Sequence, residues 1–206
     1  MKGFRNLVLM ATAAAICMPV ARAQSANTPT TSTAPRATVN QRKDYQQQRI
    51  GNGVENGSLT AGETHRLEKQ ETHLNTEEHH MRSQDNGQLT AADRARLQRQ
   101  QNHLSSDIYA DKHNAAHQNL TPQSEVGQRQ RNQQERIGQG IKSGQLTARE
   151  ATHTEGRETA INHEIARDRS ANGGALTPGE RARVNRQENH NSRAIYNKKH
   201  NGRARG

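Results

Sequence analysis

One short phrase occurs four times in the sequence: glycine, any residue, leucine, threonine, two further residues and a carboxylate. Each threonine stands three residues before the Glu or Asp, which is the spacing of a capping box, where hydroxyl and carboxylate bind the first backbone N–H groups of a helix. Each glycine suits the left-handed residue that ends a helix. The phrase therefore predicts a helix end, a leucine that enters the core and a new helix start. The four copies are GSLTAGE at Gly57, GQLTAAD at Gly87, GQLTARE at Gly144 and GALTPGE at Gly174.

The chain also matches itself when it is shifted by 87 residues. The shift superposes QQQRIGNGVENGSLTAGE (from Gln46) on QQERIGQGIKSGQLTARE (from Gln133), and about half of the paired residues are identical. The match predicts two homologous units, residues 38–117 and 121–202, with a short tail at 203–206. A fifth Leu-Thr pair at Leu120 is expected to open the second unit.

Apolar residues within each unit recur with helical spacing. Leu67, Leu74 and Met81 are seven residues apart, and Leu97 and Leu104 repeat this spacing. Such a narrow apolar seam is typical of helices, and no strand-like alternation is present. We therefore predict an all-α fold in which each unit has about three helices joined by tight Gly-x-Leu-Thr turns. The second unit replaces several seam residues by polar ones and is expected to be the less stable half.

The first 23 residues have the features of a secretory signal peptide. Lys2 and Arg5 form a basic start, an apolar run extends from Leu7 to Val20, and the segment ends at Ala23 with small residues. We expect cleavage near Ala23 and a periplasmic or secreted protein. The apolar run is too short for a membrane span. Residues 24–37 are rich in Ser, Thr, Pro and Ala and are expected to form a disordered linker.

Composition limits the chemistry of the exported chain. Cys17 is the only cysteine and lies in the leader, which excludes thiol catalysis, disulfides and Cys metal sites in the mature protein. Removing Lys2, Arg5 and Arg22 with the leader leaves 27 basic and 20 acidic residues, a net charge of +7. This charge favours an anionic envelope surface or partner protein; no motif indicates a specific nucleic acid. The scarcity of aromatic residues makes a deep apolar enzyme pocket difficult to build, and no cofactor motif is present.

The repeated phrase resembles the second half of an EF-hand loop. In that loop a glycine at the sixth position is followed by an aliphatic residue at the eighth and Glu at the twelfth. The positions for the other oxygen ligands hold mostly amide, basic or apolar residues, among them Val54, Arg82 and Ala171. The chain also resembles exported bacterial helical-repeat proteins that repeat Gly-x-Leu/Val-Thr-x-x-Glu and end in Ile-Tyr-x-x-Lys-His-Asn. That second resemblance implies no activity.

Histidines offer an alternative, metal-binding function. His113 with His117, and His73 with Glu77 and His80, fall on single helical faces at spacings that a transition metal can use. The shifted positions in the second unit do not keep either cluster complete, which favours solvated surface histidines. Whether a metal binds at these histidines or at the EF-hand-like loops is left open.

Glycine pairs at Gly51-x-Gly53 and Gly138-x-Gly140 are the remaining glycine signal. They follow no predicted strand and lack the third glycine of a nucleotide-binding loop, so they favour a close helix contact or a frayed helix end.

A polar stripe on the last helix of each unit is the best candidate for a binding site. Its residues are spaced three, seven and four apart, which places them on one helical face. The stripe is present in both units, flanked by Lys112 and Lys199, although the second unit replaces several residues of the apolar seam. It fits either an exposed basic and aromatic ligand face or hydrogen bonding between helices in a polar interior. The candidate binding residues are Arg99, Asn102, Tyr109 and His113, with Arg186, Asn189, Tyr196 and His200.

Two functions fit these sequence features. The first is an exported, non-enzymatic binding or structural protein that acts on an anionic envelope component or a partner protein. The second is a periplasmic metal-binding protein. No Ser-His-Asp or Cys-His arrangement can be argued from spacing, so we do not expect an enzyme.

Overall fold

Six α-helices follow one another in the computed structural model, which describes residues 37–119 and 123–203. These residues contain no β-strand, so the all-α prediction is confirmed. The predicted signal peptide, nearly all of the predicted linker, the Leu120-Thr121 pair and residues 204–206 lie outside the described residues. The helices are α1 Val39–Glu55, α2 Ala61–Gln84, α3 Ala91–Lys112, α4 Glu125–Ser143, α5 Ala148–Ala171 and α6 Pro178–Lys199.

The four predicted capping boxes are all present. Thr60, Thr90, Thr147 and Thr177 are the N-caps of α2, α3, α5 and α6, and in each case the carboxylate three residues later accepts from the backbone N–H of the threonine. The capping boxes fix where these four helices begin because they bind backbone N–H groups that have no helical partner.

The other two helices begin in ways that the repeated phrase does not predict. Thr38 and Gln41 form a capping box at the start of α1. Helix α4 begins at Glu125, where the Ser124 hydroxyl accepts from the backbone N–H of Gly127 at 3.2 Å. The described start of α4 therefore depends on Ser124.

The glycines of the repeated phrase lie in the turns that follow the preceding helices, but only Gly144 is itself a C-cap; the C-caps of α1, α2 and α5 are Asn56, Asp85 and Asn172. Gly57, Gly87, Gly144 and Gly174 have φ of 71°, 85°, 73° and 99°. These values lie in the left-handed region, which glycine enters without the steric penalty of a Cβ atom. The leucine of each phrase then turns inward: Leu59, Leu89 and Leu146 are buried, and Leu176 packs against an apolar cluster.

Four helices form the centre of the six-helix unit. Helix α1 packs against α4, and α2 packs against α5. Helix α3 packs on α1 and α2, whereas α6 packs on α4 and α5. The predicted seam residues Leu67, Leu74, Met81, Leu97 and Leu104 are all buried in one apolar cluster, which also contains residues of α4, α5 and α6. Residues 37–119 and 123–203, termed the first and second half below, therefore share a core.

Several contacts between the halves join residues that are 87 positions apart. Lys142 Nζ lies 2.7 Å from Glu55 Oε2, and His65 Nδ1 lies 2.9 Å from the carbonyl oxygen of Thr152. A Cβ atom added to Gly51 would lie 2.8 Å from the Gly138 carbonyl oxygen. Contacts of a position with its own counterpart are typical of surfaces related by a twofold axis.

Close approach of α1 and α4 explains the glycine pairs. A Cβ atom at Gly51 or Gly138 would meet the backbone of the other helix, at 2.8 and 3.0 Å. Added Cβ atoms at Gly53 and Gly140 would meet Leu59 and Leu146 within 2.7 Å. The predicted close helix contact is thus confirmed, since each of these glycines leaves room for a neighbouring helix or leucine.

Candidate functional site

The predicted stripe lies on the outer surface of α3 and α6. All eight of its residues are exposed, so these side chains do not form a polar interior. Their exposure follows from packing: α3 buries Leu97, Leu104 and Ile108 against the rest of the molecule, and α6 buries Val184 and Ile195. The stripe occupies the opposite side of each helix, where it is open to a ligand.

Helix α1 adds two arginines to the stripe of α3. Arg42 donates through Nη2 to Asn102 Oδ1, and Arg49 donates through Nη2 to the Ser105 carbonyl oxygen at 3.1 Å. Lys112 Nζ lies 3.4 Å from the Arg49 carbonyl oxygen. The α1/α3 face therefore combines four further cationic or polar residues with the four predicted ones. We define it as Arg42, Arg49, Arg99, Asn102, Ser105, Tyr109, Lys112 and His113.

The second half repeats this arrangement in detail. Arg129 Nη2 donates to Asn189 Oδ1 at 2.5 Å. Arg136 donates to both the hydroxyl and the carbonyl oxygen of Ser192, at 2.7 and 3.2 Å, and Lys199 Nζ lies 3.2 Å from the Arg136 carbonyl oxygen. The α4/α6 face consists of Arg129, Arg136, Arg186, Asn189, Ser192, Tyr196, Lys199 and His200.

A tyrosine and a histidine stack at the C-terminal end of each face. The Tyr109 and His113 ring centroids are 4.2 Å apart, and so are those of Tyr196 and His200. His113 Nδ1 lies 2.7 Å from the Tyr109 carbonyl oxygen, which can only accept, so Nδ1 carries the proton. Nε2 then remains for another partner. The tyrosines are 62% and 57% exposed and could stack against a ligand.

Both lysines stand in a cationic environment. Burial of part of the Lys112 side chain and the nearby charge of Arg49 lower the pKa of this lysine. Burial and Arg136 lower the pKa of Lys199 in the same way. Each face thus holds like charges close together, a local excess of positive charge that an oxyanion would relieve.

Sequence reasoning missed the arginines of α1 and α4. Arg42 and Arg49 are seven residues apart, as are Arg129 and Arg136, and the two pairs correspond under the 87-residue shift. The seven-residue spacing places each arginine pair on one helical face, and its presence in both halves could have identified these arginines from the sequence. Their contact with α3 and α6 was not predictable because it joins positions about 60 residues apart along the chain.

The histidine clusters have other contacts. Glu77 lies 2.6 Å from Arg96 and accepts from Gln100 at 2.6 Å, and His80 contacts Gln84. Within residues 37–119 and 123–203, no group of three or more His, Cys, Asp or Glu side chains is placed to hold a metal ion.

The EF-hand-like positions are used for helix capping. Glu63 Oε2 accepts from Thr60, while Oε1 accepts from Asn114 Nδ2 at 2.6 Å. Glu150 is held in the same manner by Thr147 and Asn201. Both carboxylates are therefore occupied by hydrogen bonds inside the protein.

No helix of the described residues is both long and apolar enough to cross a membrane. Comparisons with protein-family models, with curated proteins and with solved structures found no match for this chain.

Proposed function

We propose that the protein is an exported, non-enzymatic binding protein whose α1/α3 and α4/α6 faces contact an anionic envelope component. Residues 38–117 and 121–202 are, in this proposal, homologous helical units that each carry one face. The net charge of +7 after removal of the leader supports an anionic partner. The alternative ligand of these faces is a negatively charged surface of a partner protein.

The observation that carries the proposal is the presence of the same exposed constellation in both halves. Side chains in the interior differ between the halves, for example Leu104 and Asn191, which are both buried and occupy equivalent positions. The exposed residues Tyr109 and His113 have the same geometry as Tyr196 and His200. Exposed side chains stabilise a fold little, so retention of their geometry supports a role in binding.

Chemistry of the faces favours oxyanions. Arginine presents a planar fork of donors that matches carboxylate and phosphate groups, and lysine adds a point charge. Two faces on one chain also permit a polymeric or surface ligand to be held at two points, which raises the overall affinity when both can engage.

The test is co-sedimentation of the mature protein with an envelope fraction. The variant Arg99→Gln with Arg186→Gln removes one exposed arginine from each face, and we expect binding to weaken about tenfold for two lost charged contacts. Binding of the unaltered protein should also fall between low and high salt, because charges are screened over about 10 Å at 0.1 M ionic strength.

A matched control uses arginines on the same helices but off the faces. Arg96→Gln with Arg183→Gln lowers the net charge equally; in the protein these arginines pair with Glu77 and Glu164. We expect the control to bind like the unaltered protein. Equal weakening by both double variants would indicate a general charge effect and reject the faces, and helicity with melting temperature verifies folding in each case.

A further inference from the structure

A cavity of about 600 Å³ lies between α1, α2 and the start of α5, away from both faces. Its wall carries the ionisable side chains of Lys43, Glu78, His79, Arg82 and Arg149. This volume is within the range of small-molecule sites. The three permanent cations outnumber the single carboxylate, so the cavity is positively charged.

Lys43 and Glu78 form a buried ion pair in this wall. Lys43 Nζ lies 2.9 Å from Glu78 Oε2, and each side chain is only 7% exposed. Arg82 binds the other carboxylate oxygen through Nε and Nη2, at 2.9 and 2.7 Å. Taking such charges out of water is costly, and apolar replacements are often as stable. Stabilisation of the fold alone therefore gives little reason for this network of charged side chains to be present.

The second half shows that the fold does not need these charges. A corresponding cavity of about 540 Å³ is lined by Gln130, Ile165 and Ala166, which occupy the positions of Lys43, Glu78 and His79. Arg149 corresponds to Gly62 under the same 87-residue shift. The same helical frame thus holds a buried ion pair in one half and neutral residues at those two positions in the other, where Arg169 still lines the cavity at the position of Arg82.

The first cavity also offers hydrogen-bonding groups. It includes the beginning of α5, where the backbone N–H groups of Ala148 and Arg149 precede the first helical hydrogen bond, donated by Ala151 to Thr147. Such N–H groups favour a negative charge. Asn40 also lines the wall and is exposed, so its side-chain amide offers a donor and an acceptor to a ligand hydroxyl.

We propose that the cavity between α1, α2 and α5 binds a small hydroxylated oxyanion, a sugar-sized phosphate ester or carboxylate. The anionic group lies against Arg149, His79 and the start of α5. The Glu78 carboxylate holds Lys43 and Arg82 in the wall, and the Asn40 amide hydrogen-bonds a hydroxyl of the ligand. The site is separate from the two faces and does not depend on the function proposed for them.

The experiment is calorimetric titration of the mature protein with glucose 6-phosphate, gluconate and inorganic phosphate, with glucose as the neutral control. We expect glucose 6-phosphate or gluconate to bind and glucose not to bind. Arg149→Gln should weaken that binding about tenfold, since a charge-assisted hydrogen bond is lost. Arg149 is exposed, so the substitution is compatible with folding.

A matched control is available in the second cavity. Arg169 lines it at the position that corresponds to Arg82, and Arg169→Gln should leave binding unchanged. The double variant Lys43→Gln with Glu78→Ile introduces the residues of the second half and should abolish binding. Absence of binding by all three anions, or equal effects of the Arg149 and Arg169 substitutions, would overturn the proposal.

Discussion

The two halves of the molecule have matching helices but different interiors. Leu67 and Leu104 are buried in the first half, whereas Thr154 and Asn191 are buried at the equivalent positions of the second. Every helix start that the repeated phrase marks is nevertheless formed in both halves. Helix capping and turn chemistry thus specify the frame, and the residues inside it can be exchanged at a cost in stability.

The pKa of the buried Glu78 in the first half and those of three buried glutamates in the second half are shifted in opposite directions. In the first half, burial opposes ionisation of Glu78, but hydrogen bonds and charges from Lys43 and Arg82 hold its pKa below the ordinary value. In the second half, burial raises the pKa of Glu155 to about 8 and that of Glu188 to about 7. Burial and the charges of Glu188 and Glu155 raise the pKa of Glu158 as well.

Unpaired acceptors in the second interior fit protonated carboxyl groups. Buried oxygen atoms of Gln134, Glu155, Glu158, Glu188 and Asn191 have no hydrogen-bond partner. A protonated carboxyl group supplies one O–H donor. Proton uptake by these glutamates would therefore satisfy acceptors that the ionised groups leave unpaired, whereas Glu78 of the first half is held by a lysine and an arginine.

Exchange of one residue between the halves should have the largest effect. Leu104→Asn puts an amide into the apolar cluster, and we expect the free energy of unfolding to fall by roughly 3 to 5 kcal/mol, from lost apolar burial and an unpaired polar group. Asn191→Leu should lower it less, by roughly 1 to 3 kcal/mol, because it removes no apolar burial but leaves buried acceptors without the hydrogen bonds that Asn191 Nδ2 donates. Urea denaturation measures both, and similar effects would contradict the comparison.

Glu78 and Glu155 should make pH-dependent contributions to stability of opposite direction. Because the pKa of Glu155 is raised from 4.5 to about 8, its contribution to stability is complete below pH 4.5 and is lost as the pH rises to about 8. The pKa of Glu78 is lowered, so its contribution is present above about 4.5 and is lost as the pH falls. Denaturation of Glu155→Gln at pH 5 and pH 8 tests the first claim.

We expect Glu155→Gln to reduce the loss of stability between pH 5 and pH 8 by roughly 2 kcal/mol, because one buried ionisation is removed. Glu78→Gln serves as the opposite case: it should destabilise at pH 7, with a difference that disappears toward pH 3. An unchanged pH profile in Glu155→Gln would show that this carboxyl group ionises normally in the folded protein.

Removal of a helix cap should have the smallest effect on stability, and the effect should not differ between the halves. Thr60→Ala and Thr147→Ala each remove a side chain that accepts a backbone N–H, from Glu63 and Glu150, at 3.3 Å. We expect each to lower the free energy of unfolding by about 1 kcal/mol. Thermal melting of the two variants provides the measurement. A loss of stability in only one of them would mean that equivalent caps contribute unequally in the two halves.

Local patterns explain how much of the fold was predictable. The capping boxes and turn glycines involve residues a few positions apart, so Thr60, Glu63 and Gly57 carried their structural meaning in the sequence. The buried seam was predictable because helical spacing alone selects one face. By contrast, burial of Lys43 against Glu78 depends on how α1 meets α2, and no local pattern indicates it.

The candidate site was predictable to a similar extent. Helical spacing identified the stripe on α3 and α6, but it could not decide whether the stripe faced solvent. That outcome depends on which side of α3 packs on α1 and α2. The cavity beside Arg149 was still harder to predict from the sequence, since it is formed by three helices from two halves of the chain.

The contact between Glu55 and Lys142 has a consequence for the origin of the fold. A position near the axis of a dimer of identical chains faces its own copy, so a carboxylate there would meet a carboxylate and repel it. The ion pair between these counterparts, with 2.7 Å between their charged atoms, needs a different residue at each of the two positions. That is possible only when both halves are encoded separately in one chain. If a symmetric pair of shorter proteins preceded this molecule, joining them into one chain allowed one of the two equivalent positions to become a lysine while the other remained a carboxylate. No symmetric ancestor could have formed this ion pair.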